Sequence, residues 1–140
     1  MDCKRILIAD DNEEMRATIR RCLEAEFEIV AAVEDGKSLL EAESRLTPDV
    51  CLLEISMPGI NGIETATRLK AMGSTAKIVF VTIIDDIDYV EAALKIGASG
   101  YVRKDRIFSD LRVAINEALA GRTFVSACLR SSRWRHQRRV

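Results

Sequence analysis

Short apolar runs alternate along this chain with stretches whose apolar residues recur every three or four positions. RILIAD (5–10), FEIVAAV (27–33), VCLLEI (50–55), KIVFVT (77–82) and GYVRK (100–104) read as β-strands. The first, third and fourth are nearly continuous in Ile, Leu and Val, as in parallel strands covered on both faces. Between and after them lie helical stripes: Met15, Ile19, Cys22 and Leu23; Leu39, Ala42 and Leu46; Ile63, Ala66 and Leu69. Val90, Ala93, Leu94 and Gly97 form a fourth, and Phe108, Leu111, Ile115 and Ala118 a fifth. Helix starts are marked by Asn12, Asp35 and Asp85/Asp86. Ser109 and Asp110 fall in the last helix's first turn, and Gly121 follows its end. Repeated βα units of this kind predict an α/β fold with a doubly wound parallel sheet.

Ligands of such sheets bind outside the carboxyl ends of the strands. At those ends the sequence places Asp10-Asp11, Glu54, Thr82 and Lys104. Glu54 is the acid carried through the apolar strand of DVCLLEISMPGING to the lip of the Met57-Pro58-Gly59 turn. Two like charges ~4 Å apart repel by about 1 kcal/mol in water and about 4 at an effective dielectric of 20. A cluster of carboxylates therefore calls for a proton or a cation, and hard oxygen ligands suit Mg²⁺. Lys104 can neutralise part of the charge, and Thr82 can donate to an anion. Metal, lysine and hydroxyl around a common point are the parts of a phosphoryl-transfer site. A single acid at a strand end is more commonly a helix cap or solvated. One cap suffices, however, so the pair Asp10-Asp11 asks for more.

Composition narrows the class. At 140 residues the chain is expected to be a single domain, with 48% hydrophobic and 31% charged residues. No apolar run reaches the ~18 residues of a membrane span, and the N-terminus lacks the pattern of a secretion signal. A cytoplasmic protein with no membrane partner is expected. Cys3, Cys22, Cys51 and Cys128 form no CxxC pair, and Cys22 and Cys51 read as small hydrophobes. The net charge of −1 hides a division, because residues 122–140 carry six Arg and no acid. Residues 1–121 are read as the domain and 122–140 as a basic, poorly ordered linker or tail. Arg133, Trp134, Arg135, Arg138 and Arg139 in that tail could contact nucleic acid through phosphates and stacking.

ILIADDNEEMR, DVCLLEISMPGINGIE, KIVFVT and GASGYVRKD, in this order and spacing, resemble the receiver domain of bacterial two-component response regulators over roughly residues 4–121. The subfamily resembled is the one whose receivers precede a helix-turn-helix domain. The resemblance implies a flavodoxin-like (βα)5 sheet of order 2-1-3-4-5. It implies Mg²⁺ held by Asp10, Asp11, Glu54 and the main-chain carbonyl of Ser56. By the same resemblance, the strand-three acid is expected to take a phosphoryl group from a sensor histidine kinase or phosphotransfer protein, with Lys104 pairing with it, Thr82 moving toward the phosphate and Tyr101 swinging inward. A conformation-sensitive face near Tyr101, formed by the fourth and fifth helices around Ala92, Ala93 and Lys95, is implied for homodimerisation or docking. The chain ends before a helix-turn-helix could fit, so DNA contact is expected only through an output domain outside it.

Two departures stand out. The family's acceptor is aspartate, and here the position is Glu54, one methylene longer. A shift of about 1 Å can cost ~10²-fold in a transfer step. Glutamate carries −1, against roughly −1.5 to −2 for a phosphoryl group. The expectation is a receiver that is phosphorylated inefficiently and partly imitates its active state, not a turnover enzyme. Secondly, Ile83 and Ile84 follow Thr82 where a small residue is usual, and are expected to pack under the fourth helix. The rivals are a nucleic-acid-binding protein acting through the arginine tail and a Mg²⁺-dependent phosphatase. Adjacent Asp10-Asp11, in place of a DxD spacing, argues against the phosphatase.

Overall fold

A computed structural model describes residues 3–126. Strands β1 (Arg5–Ala9), β2 (Glu28–Val33), β3 (Val50–Leu53), β4 (Lys77–Thr82), β5 (Gly100–Arg103) and β6 (Phe124–Val125) form one sheet of order β2-β1-β3-β4-β5-β6. Every neighbouring pair is parallel. Helices α1 (Glu13–Leu23), α2 (Gly36–Leu46), α3 (Gly62–Ala71), α4 (Ile87–Lys95) and α5 (Ile107–Leu119) supply the crossovers, with a 3₁₀ turn at Lys104–Arg106. The expected five-strand order is present, extended by β6 inside the segment read as a linker.

Alternation along the central strands divides the core into two layers. Leu7, Cys51, Leu53, Ile78, Phe80 and Tyr101 point to the face covered by α2, α3 and α4. Ile6, Ile8, Val50, Leu52, Val79, Val81 and Val102 point to the face covered by α1 and α5. Both layers are apolar, which is why these strands read as unbroken runs. Cys51 lies in the first layer, where burial pushes its thiol up to about 12. That fits the role of a small hydrophobe. Cys128 and the arginine-rich residues 130–139 lie outside the described residues.

The helix starts are chemically specified. Asn12, Asp35, Asn61 and Asp86 each accept a main-chain N–H of the first turn that they precede. The fifth stripe is out of phase at its first residue: Ile107 is buried, whereas Phe108 is 80% exposed. The 3₁₀ turn sets where α5 begins, and a tighter turn shifts the phase of the residue that follows it. Among the described residues no helix is long and apolar enough to cross a membrane.

Candidate functional site

Register brings the site together. Ala9 pairs with Leu53, so the next residues, Asp10 and Glu54, leave neighbouring strands side by side. The Glu54 N–H still donates to the Ala9 carbonyl (3.0 Å), and the Asp10 N–H to Val33 O (3.0 Å). Both acids are anchored by strand backbone while their side chains turn into the carboxyl edge. They are 1% and 3% exposed.

Lys104, at the end of β5, bridges them. Its Nζ lies 2.8 Å from Asp10 Oδ2 and 2.5 Å from Glu54 Oε1. Burial alone would lower the Lys104 pKa. The two carboxylates outweigh it, and the ammonium is held above its ordinary range. Glu54 is clasped on its other side as well, because Oε2 accepts the N–H groups of Ile55 (2.6 Å) and Ser56 (3.1 Å). The longer side chain thus folds back over its own turn while reaching the lysine.

Asp10 is fixed at two further points. Besides its N–H bond, its Oδ1 accepts the Asn12 N–H (2.8 Å), and its main-chain oxygen accepts from Arg16 Nη1 (2.7 Å). Oδ2 is buried, and the contact it makes is with the Lys104 ammonium 2.8 Å away. A buried oxygen in that condition, beside a second carboxylate, fits a small hard cation in donor chemistry. Asp11 lies apart, exposed on the turn before α1. Among the described residues no three His, Cys, Asp or Glu side chains stand as a metal cluster. The acids brought together are Asp10 and Glu54, with the ammonium as their counter-ion. Ser56 is exposed and meets Glu54 through its N–H.

Thr82 is fully buried at the end of β4, and its Oγ1 accepts the Ile84 N–H (3.2 Å). Tyr101 is fully buried too. Its hydroxyl donates to the Ile84 carbonyl (2.7 Å), and its ring lies 6.3 Å from that of Phe80. Burial, reinforced by the charge of Glu54, pushes the phenol well up. Thr82 and Tyr101 therefore meet through the main chain of Ile84. Ile84 packs on the core as expected, but Ile83 does not, since it is 75% exposed. Bulk at that position is accommodated by pointing outward.

Sequence reasoning missed Arg16, Asn61 and Gly62. Gly62 opens α3 so close to β3 that a Cβ would stand 2.2 Å from the Glu54 carbonyl oxygen. Its N–H bonds to Ile55 O (2.7 Å), holding the Glu54 turn against the helix. The signal was present in PGING, where Asn61 marks a start and Gly62 a close approach. Arg16 carried no comparable signal, because an arginine in a helix's first turns is ordinarily solvated.

The model of the response regulator receiver domain matches residues 6–116. The transcriptional regulatory protein DegU of Brevibacillus brevis is 37% identical over 123 residues, covering 86% of this chain and 52% of DegU. The nitrate/nitrite response regulator protein NarL of Escherichia coli is 32% identical over 126 residues, covering 89% of this chain and 58% of NarL. The chain thus spans about half the length of these curated relatives. A crystal structure of a LuxR-family two-component response regulator from Aurantimonas superposes with a TM-score of 0.91 at 28% identity, covering 99% of this chain and 100% of that one. Fold, strand order and the matched span agree, and the chain belongs to the response regulator receiver domain family.

Proposed function

We propose that the chain is a cytoplasmic phosphorelay receiver module in which Glu54 stands at the acceptor position. On this reading it is phosphorylated inefficiently and rests partly in its active arrangement. The observation that carries the reading is the hold on Glu54: Lys104 Nζ at 2.5 Å on one oxygen, the Ile55 and Ser56 N–H groups on the other. These contacts hold both Glu54 oxygens against donors of the chain itself, so each has a hydrogen bond or ion pair to weaken before it attacks an incoming phosphorus. The inward, hydrogen-bonded Tyr101 supports the same reading, as the resemblance ties that position to the active state.

Mg²⁺ would be held first by Asp10 and Glu54, the acids brought together here. Asp11 and the Ser56 carbonyl, which the resemblance adds, would have to turn in from their exposed positions to complete the set; the ion would offset the negative charge of a phosphoryl group. Lys104 supplies part of that compensation from the chain itself. Thr82 is the switch hydroxyl, released from Ile84 when an anion competes for it. The partners are a sensor histidine kinase or phosphotransfer protein, and a second copy through the α4–α5 face near Tyr101. DNA enters only through an output domain, and no turnover chemistry is assigned.

The test compares the chain with Glu54→Asp, using a small phosphodonor and Mg²⁺ and reading intact mass. Glu54→Asp should label to stoichiometry, and the parent ~10²-fold more slowly. Stoichiometric labelling of the parent at Glu54 would overturn the reading. The oligomer of the parent should match that of beryllofluoride-bound Glu54→Asp.

A further inference from the structure

β6 is only two residues long, yet it is fastened on every side. The Phe124 N–H donates to Ser99 O and the Ser126 N–H to Tyr101 O, each at 3.0 Å. Val125 is 5% exposed and belongs to the same core layer as Tyr101, its partner in register. Ser126 is fully buried. Its hydroxyl donates to Asp110 Oδ2 (2.7 Å) and accepts the Arg103 N–H (3.1 Å). Asp110, 6% exposed, is completed by Arg106 Nε (2.9 Å) and Ser109 Oγ (2.9 Å). Buried polar groups satisfied this fully specify one arrangement, because partial loss leaves an orphaned charge.

The turn into β6 is equally defined. Gly121 takes φ +82°, its N–H donates to Ala118 O, and the Arg122 N–H donates to Glu117 O. These are the paired bonds of a helix end reversed by a left-handed glycine. The chain is turned back on purpose to lie against β5.

Hydrogen bonds joined through the Tyr101 residue itself then link the carboxyl edge to this segment: Ile84 N–H to Thr82 Oγ1, the Tyr101 hydroxyl to Ile84 O, and Ser126 N–H to the Tyr101 carbonyl at the other end of that residue. We propose that Phe124–Ser126 is a coupling strap, in which attachment to β5 and the inward position of the Tyr101 side chain stabilise one another. The chain leaving the domain would then carry the state of the carboxyl edge. Acceptor chemistry at Glu54 is not needed for this inference.

Coupling of this kind is reciprocal, so it can be tested from both ends. In the full chain, Tyr101→Phe removes only the hydroxyl. It should speed amide exchange at Phe124 and Ser126 about five-fold more than at Cys51 and Leu52 in β3. From the other end, Ser126→Ala should free the strap amides similarly and shift the NMR signals of the Tyr101 ring. Ser126→Thr, which keeps the hydroxyl, should restore both. Equal acceleration at strap and β3 amides in Tyr101→Phe would overturn the proposal, as would an unmoved Tyr101 ring in Ser126→Ala.

Discussion

Lys104 decides whether Asp10 and Glu54 can share one buried corner. Each carboxylate is almost wholly out of water, and the ammonium at 2.8 and 2.5 Å is the cation between them. Removing one partner of a buried ion pair costs about 3–5 kcal/mol, because a charge is left unpaired. Lys104→Met should therefore lower stability by about that amount at neutral pH, read as a reduced urea midpoint with an unchanged slope. Added Mg²⁺ should raise the midpoint of the variant more than that of the parent, since the ion no longer competes with the ammonium for the two acids and a ligand stabilises with the logarithm of its concentration over its Kd for the folded state. A variant as stable as the parent would mean that Lys104 does not hold the two acids in this corner. The members of this corner were legible in the sequence, because each sits at the end of an apolar run and the parallel direction of the strands sends those ends to one edge. Arg16 was not legible, since its role lies in reaching the Asp10 main chain, and main-chain partners leave no pattern in residue types.

Among the elements, those with regular periods were legible and those set by local turns were not. β1, β3 and β4 are buried on both faces and announce themselves by composition. Asn12, Asp35 and Asp86 marked three helix starts, each by a side chain that does the capping. The phase of α5 depends on the 3₁₀ turn before it, which has no periodicity to read, so Phe108 was assigned to a face that Ile107 fills. β6 lacks the length for any alternation, and its Arg-rich continuation disguised it. Its anchor, Asp110, carries a pH dependence. Burial raises the carboxyl pKa, but Arg106, Ser126 and Ser109 together hold it below its ordinary value. A depressed carboxylate contributes stability that is complete above about pH 4 and is lost as pH falls through its folded value. Strap amide protection should accordingly be flat from pH 7 to about 5 and fall in stronger acid. Asp110→Asn should flatten the acid-side loss; an identical slope in the variant would assign it to other groups.

For the whole molecule, the question is where the domain ends. Composition placed the boundary at 121, where the acidic body gives way to arginine. Packing places it later, because Val125 closes one core layer and Ser126 completes the polar contacts of Asp110. A chain cut after Gly121 would lose the burial of Val125, worth about 1.5–3 kcal/mol. It would also expose β5 as an edge with the Ser99 and Tyr101 carbonyls unpaired. Open strand edges recruit other strands. The cut chain should fold, because the five-strand sheet and both helical layers remain. It should unfold at a lower urea concentration, by about 2–4 kcal/mol once a lost hydrogen bond or two is added. It should also self-associate in sedimentation as concentration rises, through the newly bared edge of β5. A cut chain as stable and as monodisperse as the parent would return Phe124–Ser126 to the status of a linker and leave the boundary at 121.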